Sequence, residues 1–135
     1  MASSDLYNNA KAIVAIANQY ATAATVTGAT IDTQGFQGVS FAVNVTQGAG
    51  TGLDGSNNYE VQVFESDDSG MSGEAEVSTS GILGTVPTIS GLGHYEFGVI
   101  SNKRYLRLKL AETGTASGQF YGVALLGLPN EKTIR

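Results

Sequence analysis

Several segments of the chain alternate large apolar residues with polar or small ones at a period of two, which is typical of β-strands with one buried face. In the clearest segment, every second residue from Val39 to Val45 is apolar and either β-branched or aromatic. The same alternation recurs at 59–63, 106–110 and 121–125. A helix would need apolar residues at a spacing near 3.6, so this pattern predicts strands and constrains the fold more than any other feature.

Turn-forming residues separate these segments. Weaker strands are predicted at 22–26, 29–33, 74–78 and 95–100, with a tight turn at Thr27-Gly28 and glycine-rich or polar loops at 47–58, 66–73 and 81–93. About eight short strands without a convincing internal helix predict an all-β chain folded as an antiparallel β-sandwich or a barrel. Jelly rolls and immunoglobulin-like sandwiches both fit the pattern. The Cys and Trp residues typical of antibody domains are absent from the sequence.

The N-terminal segment has two interpretations. Asp5 is suited to cap a helix, and Leu6, Ile13 and Val14 fall on one helical face. The same stretch also fits an extended arm followed by a strand at 12–17. We favour the extended form, which divides the chain into an N-terminal arm or first strand at 1–20 and a β-sandwich domain at 21–135.

The charges are unevenly distributed. The chain has a net charge of −5, and no Lys or Arg lies between Lys11 and Lys103, a stretch that holds nine of the acidic residues. Nucleic-acid binding requires a basic face along the phosphates, so the sequence argues against that function. Lys103, Arg104 and Arg107 form a basic group with Lys109. It is either one solvated strand edge or a contact for an acidic surface on a partner or on a neighbouring copy.

Residues suited to catalysis or metal binding are few. His94 is the single histidine, and although Glu96 shares its side of a strand, no nucleophile motif accompanies the pair. The acidic run 65–70 resembles a calcium loop only loosely and fits an ordinary solvated turn better. We therefore predict no enzymatic activity, no cofactor and no metal site. No apolar stretch is long enough for a membrane helix, and the basic start of a secretory signal is lacking.

Five short motifs resemble those of one group of phage proteins. They are Asp5-Leu-Tyr-Asn-Asn9, Thr30-Ile-Asp-Thr-Gln-Gly-Phe36, Val63-Phe-Glu-Ser-Asp-Asp68, Lys103-Arg-Tyr-Leu-Arg107 and Gly127-Leu-Pro-Asn130. Together they resemble the small decoration, or cement, proteins encoded beside the major capsid protein of tailed bacteriophages. The chain is similar to the jelly-roll type found on a short-tailed Bordetella phage. The motifs span most of the chain and carry no chemistry.

The resemblance implies a jelly-roll sandwich that is made in the host cytoplasm. It would bind the capsid outer surface of the virion and stabilise the shell against DNA pressure. Its partners would be the major capsid protein and a second copy in a dimer, with no nucleic acid or membrane involved. Candidate capsid or intersubunit contacts are Leu6, Tyr7, Ile13, Lys103, Arg104 and Arg107. Two alternatives stay open: a carbohydrate-binding or adhesion module, for which Tyr59, Tyr95 and Tyr121 could serve as ligand contacts, and a head or tail fibre subunit.

Overall fold

The computed structural model describes residues 10–46 and 53–129, and these residues form eleven β-strands and one 3-10 turn at Thr79–Gly81. The strands are β1 (Lys11–Thr22), β2 (Val26–Thr27), β3 (Ile31–Asp32), β4 (Phe36–Thr46), β5 (Asn58–Ser66), β6 (Ala75–Glu76), β7 (Ile82–Leu83), β8 (Thr88–Ile89), β9 (Gly93–Ile100), β10 (Tyr105–Thr113) and β11 (Ser117–Pro129).

The strands form two antiparallel sheets that pack face to face. Sheet I has the order β1-β11-β4-β9-β7. Sheet II has the order β2-β10-β5-β6, with β3 also paired to β10 and β8 also paired to β5. The predicted all-β antiparallel sandwich is thus confirmed, and the fold is not a closed barrel.

Short strands in sheet II combine into longer units. Both β2 and β3 pair with β10, and between them three residues oppose two, so they are one strand interrupted by a bulge. The predicted tight turn at Thr27-Gly28 is therefore wrong, because the Gly28 amide donates to the Leu108 carbonyl at 2.8 Å and continues the pairing with β10. With β6 and β8 counted as one edge strand and the two-residue edge strand β7 left aside, eight principal strands have the sheet orders 1-8-3-6 and 2-7-4-5 of a jelly roll.

Residues 11–22 are extended, so the strand interpretation of the N-terminal segment is correct for this part of it. β1 pairs with β11 along almost its whole length, with irregular register between Val14 and Ile16 and between Ile16 and Gln19. Of the segment 1–20, the described part from Lys11 onwards is therefore a strand of the sandwich itself. Two short strands, β7 and β8, lie inside the stretch 81–93 that the sequence predicts as a loop, because two-residue strands give no periodicity.

Aromatic and branched side chains from both sheets form the core. Phe41 and Phe97 stack with ring centroids 5.5 Å apart, and Tyr59 meets Phe120 edge to face at 4.8 Å. The Tyr59 hydroxyl donates to the Ala116 carbonyl at 3.3 Å, which satisfies its polar atom inside the core. Burial of these rings together with the aliphatic side chains of both sheets removes a large apolar area from water and is the main stabilising term of the fold.

β11 faces the opposite way from what its pattern indicates. Its smaller residues Gly122 and Ala124 are buried, and its larger residues Tyr121 and Leu125 are exposed. The space under Gly122 is occupied by Ile16, which lies 3.2 Å from where a Cβ on this glycine would stand. A larger inward residue would displace Ile16, so the sandwich accepts only small side chains there.

The sandwich has two distinct ends. The basal end is where β1 and β10 begin and β11 finishes, and it carries the β3–β4, β5–β6 and β9–β10 connections. The distal end is where β1 and β4 finish and where the β10–β11 hairpin turns.

Gly28 joins the two sheets at the β1 edge, and substituting it tests this junction. A Cβ at this position would stand 2.5 Å from the Ala15 carbonyl oxygen and 2.9 Å from that of Leu108, while Ala29 donates to the same Ala15 oxygen at 2.9 Å. We expect Gly28→Ala to lower the free energy of unfolding by about 2 kcal/mol, because both backbones must move apart. Urea unfolding followed by circular dichroism measures the change.

The matched control is Gly91→Ala, since a Cβ at that position would meet no atom within 4 Å. Its free energy of unfolding should lie within about 0.5 kcal/mol of the wild type. Equal stability of both variants would contradict the proposed role of the junction.

Candidate functional site

The predicted basic residues lie at or near the basal end. Lys103 and Arg104 occupy the β9–β10 turn. Arg107 is the third residue of β10 and lies on the outer face of sheet II. Ile13, in β1, is partly buried and packs against the core. Leu6 and Tyr7 lie outside the described residues. The structure thus brings the described candidates to one end of the sandwich but on different faces.

Each cation of the β9–β10 turn is paired with a carboxylate of the acidic middle of the same chain. Lys103 Nζ lies 3.0 Å from Asp67, and Arg104 donates two hydrogen bonds of 2.8 Å to Asp32. The Arg104 hydrogen bond lowers the pKa of Asp32 to about 2. All four side chains are substantially exposed, so these pairs contribute little to stability.

A half-buried network lies on the outer face of sheet II. Glu74 accepts hydrogen bonds of 2.7 Å from Lys109 and from Arg107, and these bonds lower its pKa. Lys109 also lies over the ring of Phe64 at 4.6 Å, a cation–π contact. The Arg107 Nε atom is buried without a partner within the described chain. The basic group is therefore largely neutralised internally, which leaves little net charge for an acidic partner.

The outer face of sheet I contrasts with that of sheet II. Among the described residues, six of the seven large exposed hydrophobic side chains belong to strands of sheet I. Four of them, Val14, Leu83, Ile100 and Leu125, cluster in its basal half with small uncharged neighbours. We call this surface the apolar patch; its residues are Ala12, Val14, Ser40, Ala42, Leu83, Gly98, Ile100, Val123 and Leu125.

The strand register places the patch residues side by side. One row runs from Ala12 through Leu125 and Ser40 to Gly98, and Leu83 is directly opposite Gly98 on β7. The next row continues from Val14 through Val123 to Ala42 and ends at Glu96, which borders the patch. Directly opposed residues of an antiparallel pair share a face about 5 Å apart, so the apolar surface is continuous.

The distal half of the same face is polar. Tyr121, Asn44 and His94 lie side by side on β11, β4 and β9. The Nδ1 and Nε2 atoms of His94 lie 2.8 Å from Asn44 Oδ1 and 2.6 Å from Glu96 Oε2. A hollow of about 420 Å³ lies beside them, and its lining includes Asn18 and Tyr121. We call this region the polar hollow; its lining residues are Asn18, Asn44, Thr46, Phe120 and Tyr121.

The acidic turn at 65–70 is held by its own hydrogen bonds. Asp68 accepts from the amides of Gly70 and Ser72 at 2.8 and 3.3 Å, and Ser66 donates to the Ser72 carbonyl at 2.7 Å. Within residues 10–46 and 53–129, no group of three or more His, Cys, Asp or Glu side chains is arranged to hold a metal ion. The same residues include no helix with the length and apolarity required to cross a membrane.

Sequence reasoning missed the apolar patch, although its residues were visible. The large outward residues Val123 and Leu125 belong to the same alternation that predicts β11. The alternation did not show which of its two faces is buried. One feature of the sequence indicates the direction of β11. Gly122 and Ala124 are small enough to face a crowded core, whereas two large residues would not fit at these positions. Of the three tyrosines considered as sugar contacts, Tyr59 is fully buried in the core, Tyr95 is partly buried with its hydroxyl donating to the Gly91 carbonyl at 2.8 Å, and Tyr121 lies at the edge of the polar hollow.

Comparisons with known proteins bear on the fold. No protein-family model and no curated protein matches the chain. Among solved structures, the SPBc2 prophage-derived protein YomS superposes with a TM-score of 0.51 at 7% identity, over 87% of this chain and 93% of that one. A disulfide-linked pilus of Bacillus endospore appendages gives a TM-score of 0.46 at 14% identity, over 89% of each chain. The likeness to YomS shows a shared fold with a prophage-derived protein.

Removing the charge of Glu74 tests the network on sheet II. We expect Glu74→Gln to lower the free energy of unfolding by about 1–2 kcal/mol at neutral pH, because two half-buried cations lose their carboxylate. Since the pKa of Glu74 is lowered by folding, its stabilising effect is present above the ordinary value of 4.5 and is lost as the pH falls through the lowered folded value. Urea unfolding at neutral and acidic pH measures both effects.

Glu60→Gln, on the same outer face, is the control and should change stability by less than about 0.5 kcal/mol. The wild type and Glu74→Gln should converge in stability at acidic pH. A difference between them that persists unchanged there would mean that the network does not act through the charge of Glu74.

Proposed function

We propose that this chain is a structural protein of a phage virion. In this proposal it binds the outer surface of the capsid, contacts neighbouring copies of the major capsid protein and stabilises the shell against internal DNA pressure. It is made in the host cytoplasm, and it catalyses no reaction. The observation that carries the proposal is the apolar patch, and the motifs that resemble decoration proteins support the choice of partner.

The apolar patch has the composition of a protein-binding surface. Leu125 is 44% exposed and Leu83 52% exposed, and none of the nine patch residues is charged. It spans five strands, or about 19 Å, and three rows of outward residues, or about 13 Å along the strands, which gives roughly 250 Å². A contiguous exposed apolar surface on a soluble protein is frequently functional. A flat, uncharged surface suits contact with another protein rather than with nucleic acid or a charged small molecule.

The patch alone is too small for a stable contact, which needs about 800 Å² per partner. The basal end borders the patch at Ile100 and supplies further surface. There Lys103 and Arg104 lie beside a cavity of about 570 Å³ between the β3–β4 and β9–β10 turns. We propose that the patch forms the apolar centre of the interface and that the ion-paired turns form its polar rim. Leu6 and Tyr7, which precede β1, stay candidates for the remaining area.

Self-association is the second part of the proposal. Two copies related by a two-fold axis can pair through the same patch in solution, and this dimer would compete with binding of the patch to the shell. Catalysis is not proposed, because the only neighbours that hydrogen-bond to His94 within the described chain are Asn44 and Glu96, and neither is a nucleophile with an adjacent base.

Placing a charge in the centre of the patch tests the docking surface. We expect Leu125→Asp to reduce the binding of the protein to decoration-free phage capsids by at least about tenfold, because a carboxylate would be buried without a partner. Co-sedimentation of purified protein with these capsids, with copies counted per shell, measures binding. Saturation of the wild type at hundreds of copies is the expected result.

Thr27→Asp is the matched control, since Thr27 is exposed on the outer face of sheet II beside Lys109. It should bind as the wild type does, and both variants should keep wild-type thermal stability. Equal binding of Leu125→Asp and wild type would exclude the patch as the contact. Saturation at only a few copies would instead indicate a fibre subunit at a vertex or the tail.

The salt dependence of binding separates the two candidate contacts. The basic group is already paired within the chain, so we expect capsid binding that rests on the patch to weaken by less than about twofold between low and physiological salt. Binding through Lys103, Arg104 and Arg107 to an acidic capsid surface would weaken much more, because salt screens exposed charges. The same co-sedimentation assay across a salt series measures this, and a steep loss would favour the basic group.

A further inference from the structure

The distal half of the outer face of sheet I has the chemistry of a sugar-binding site, separate from the apolar patch. We infer that the polar hollow binds a neutral saccharide. The inference does not rest on the proposed capsid function, because it concerns the isolated protein and a different set of side chains. Its support is the placement of amide and aromatic side chains around one hollow.

Neighbouring strands bring these side chains together. Tyr121 and Asn44 are directly opposed on β11 and β4, and Gln119 and Thr46 are opposed in the adjacent row. Asn18 joins them from the irregular part of β1. The hollow that they border has a volume of about 420 Å³, which lies within the usual range of roughly 300–1,000 Å³ for small-molecule sites. A volume near the lower limit fits one or two sugar rings.

The amides are held in place before any ligand binds. Gln119 Nε2 donates to Asn18 Oδ1 at 2.9 Å, and Asn44 Oδ1 is 2.8 Å from His94 Nδ1, whose ring is in turn held by Glu96. Each amide therefore uses one end of its group within the protein. The Nδ2 groups of Asn18 and Asn44 and the Oε1 atom of Gln119 have no partner within the described chain, so two amide donors and one acceptor are available to the hydroxyl groups of a sugar. Fixed side chains lose little entropy on binding.

Two tyrosines supply the apolar surface that a sugar ring requires. Tyr121 is 36% exposed and Tyr20 is 44% exposed, although both lie on strands with a buried face. Tyr20 is opposed to Gln119, so the two rings lie on the same outer face as the amides. A tyrosine offers an apolar ring face and a polar tip, which matches the C–H and O–H groups of a saccharide.

Charge selects the class of ligand. No Lys or Arg lines the hollow, so a phosphate or a sulfated sugar would bind without a counter-charge. Glu96 lies near its margin and disfavours an acidic sugar further. The ligand is therefore a neutral saccharide, either free in solution or as part of a surface polysaccharide.

Titration with neutral sugars tests the inference. We expect amide chemical-shift changes confined to residues around the hollow when ¹⁵N-labelled protein is titrated with millimolar lactose, maltose or N,N′-diacetylchitobiose. Tyr121→Ala and Asn44→Ala should each weaken the binding by about tenfold, through loss of the ring face or of one hydrogen-bonding amide. Co-precipitation with insoluble neutral polysaccharides, such as cellulose and chitin, distinguishes a polymer ligand from a free sugar.

Gln62→Ala, on the outer face of sheet II, is the matched control and should bind as the wild type does. All variants are first checked for wild-type thermal unfolding, and Asn44→Asp and Tyr121→Phe serve as conservative replacements. The inference is overturned if none of these neutral sugars or polysaccharides binds. Binding that survives both alanine variants unchanged would also overturn it. Loss of capsid binding in Leu125→Asp has no bearing on either result.

Discussion

The packing of β11 against β1 is the constraint on which both the apolar patch and the polar hollow depend. Ile16 occupies the space beneath Gly122, so β11 is obliged to direct its small residues inward. Because successive residues of a strand point to opposite faces, the larger residues must then point outward. Tyr121 thereby reaches the polar hollow, and Leu125 reaches the apolar patch. A shift of one residue in this register would bury both and would remove the two surfaces together.

The charged residues are distributed unequally between the two sheets. The acidic middle of the chain and the basic group are far apart in sequence. Because β10 lies beside β3 and β5, the folded chain brings the two groups into contact. The resulting ion pairs cover the outer face of sheet II and one turn of the basal end. Sheet I is thereby left as the face with the fewest charges, which lowers the desolvation cost of covering it with another protein.

The sequence was sufficient for the fold class, because a period of two is a local property that four long strands display without help from their neighbours. It could not give the direction of β11, since large and small residues alternate there without a charged residue to mark the outer side. It also could not give the bulge at Gly28, which depends on the Ala15 and Leu108 carbonyls of two other strands. The basic group was visible as a cluster, but its pairing with Asp32, Asp67 and Glu74 is a product of long-range strand order.

In the proposed capsid contact, the two surfaces of sheet I make opposite demands on how the protein would lie on the shell. Leu125 and Tyr121 are four residues apart on one strand, or about 13 Å, so a contact centred on the whole face would cover the polar hollow as well. The patch supplies roughly a third of the area that a stable interface needs. The remainder must therefore come either from the distal row or from the basal end. The distal row would bury the amides of Asn18 and Asn44 with their free hydrogen-bonding groups unpaired, which is costly. The basal end offers carboxylates and cations that are already paired and that tolerate a position at a rim. A tilt towards the basal end is thus the cheaper geometry, and it leaves the polar hollow facing away from the shell.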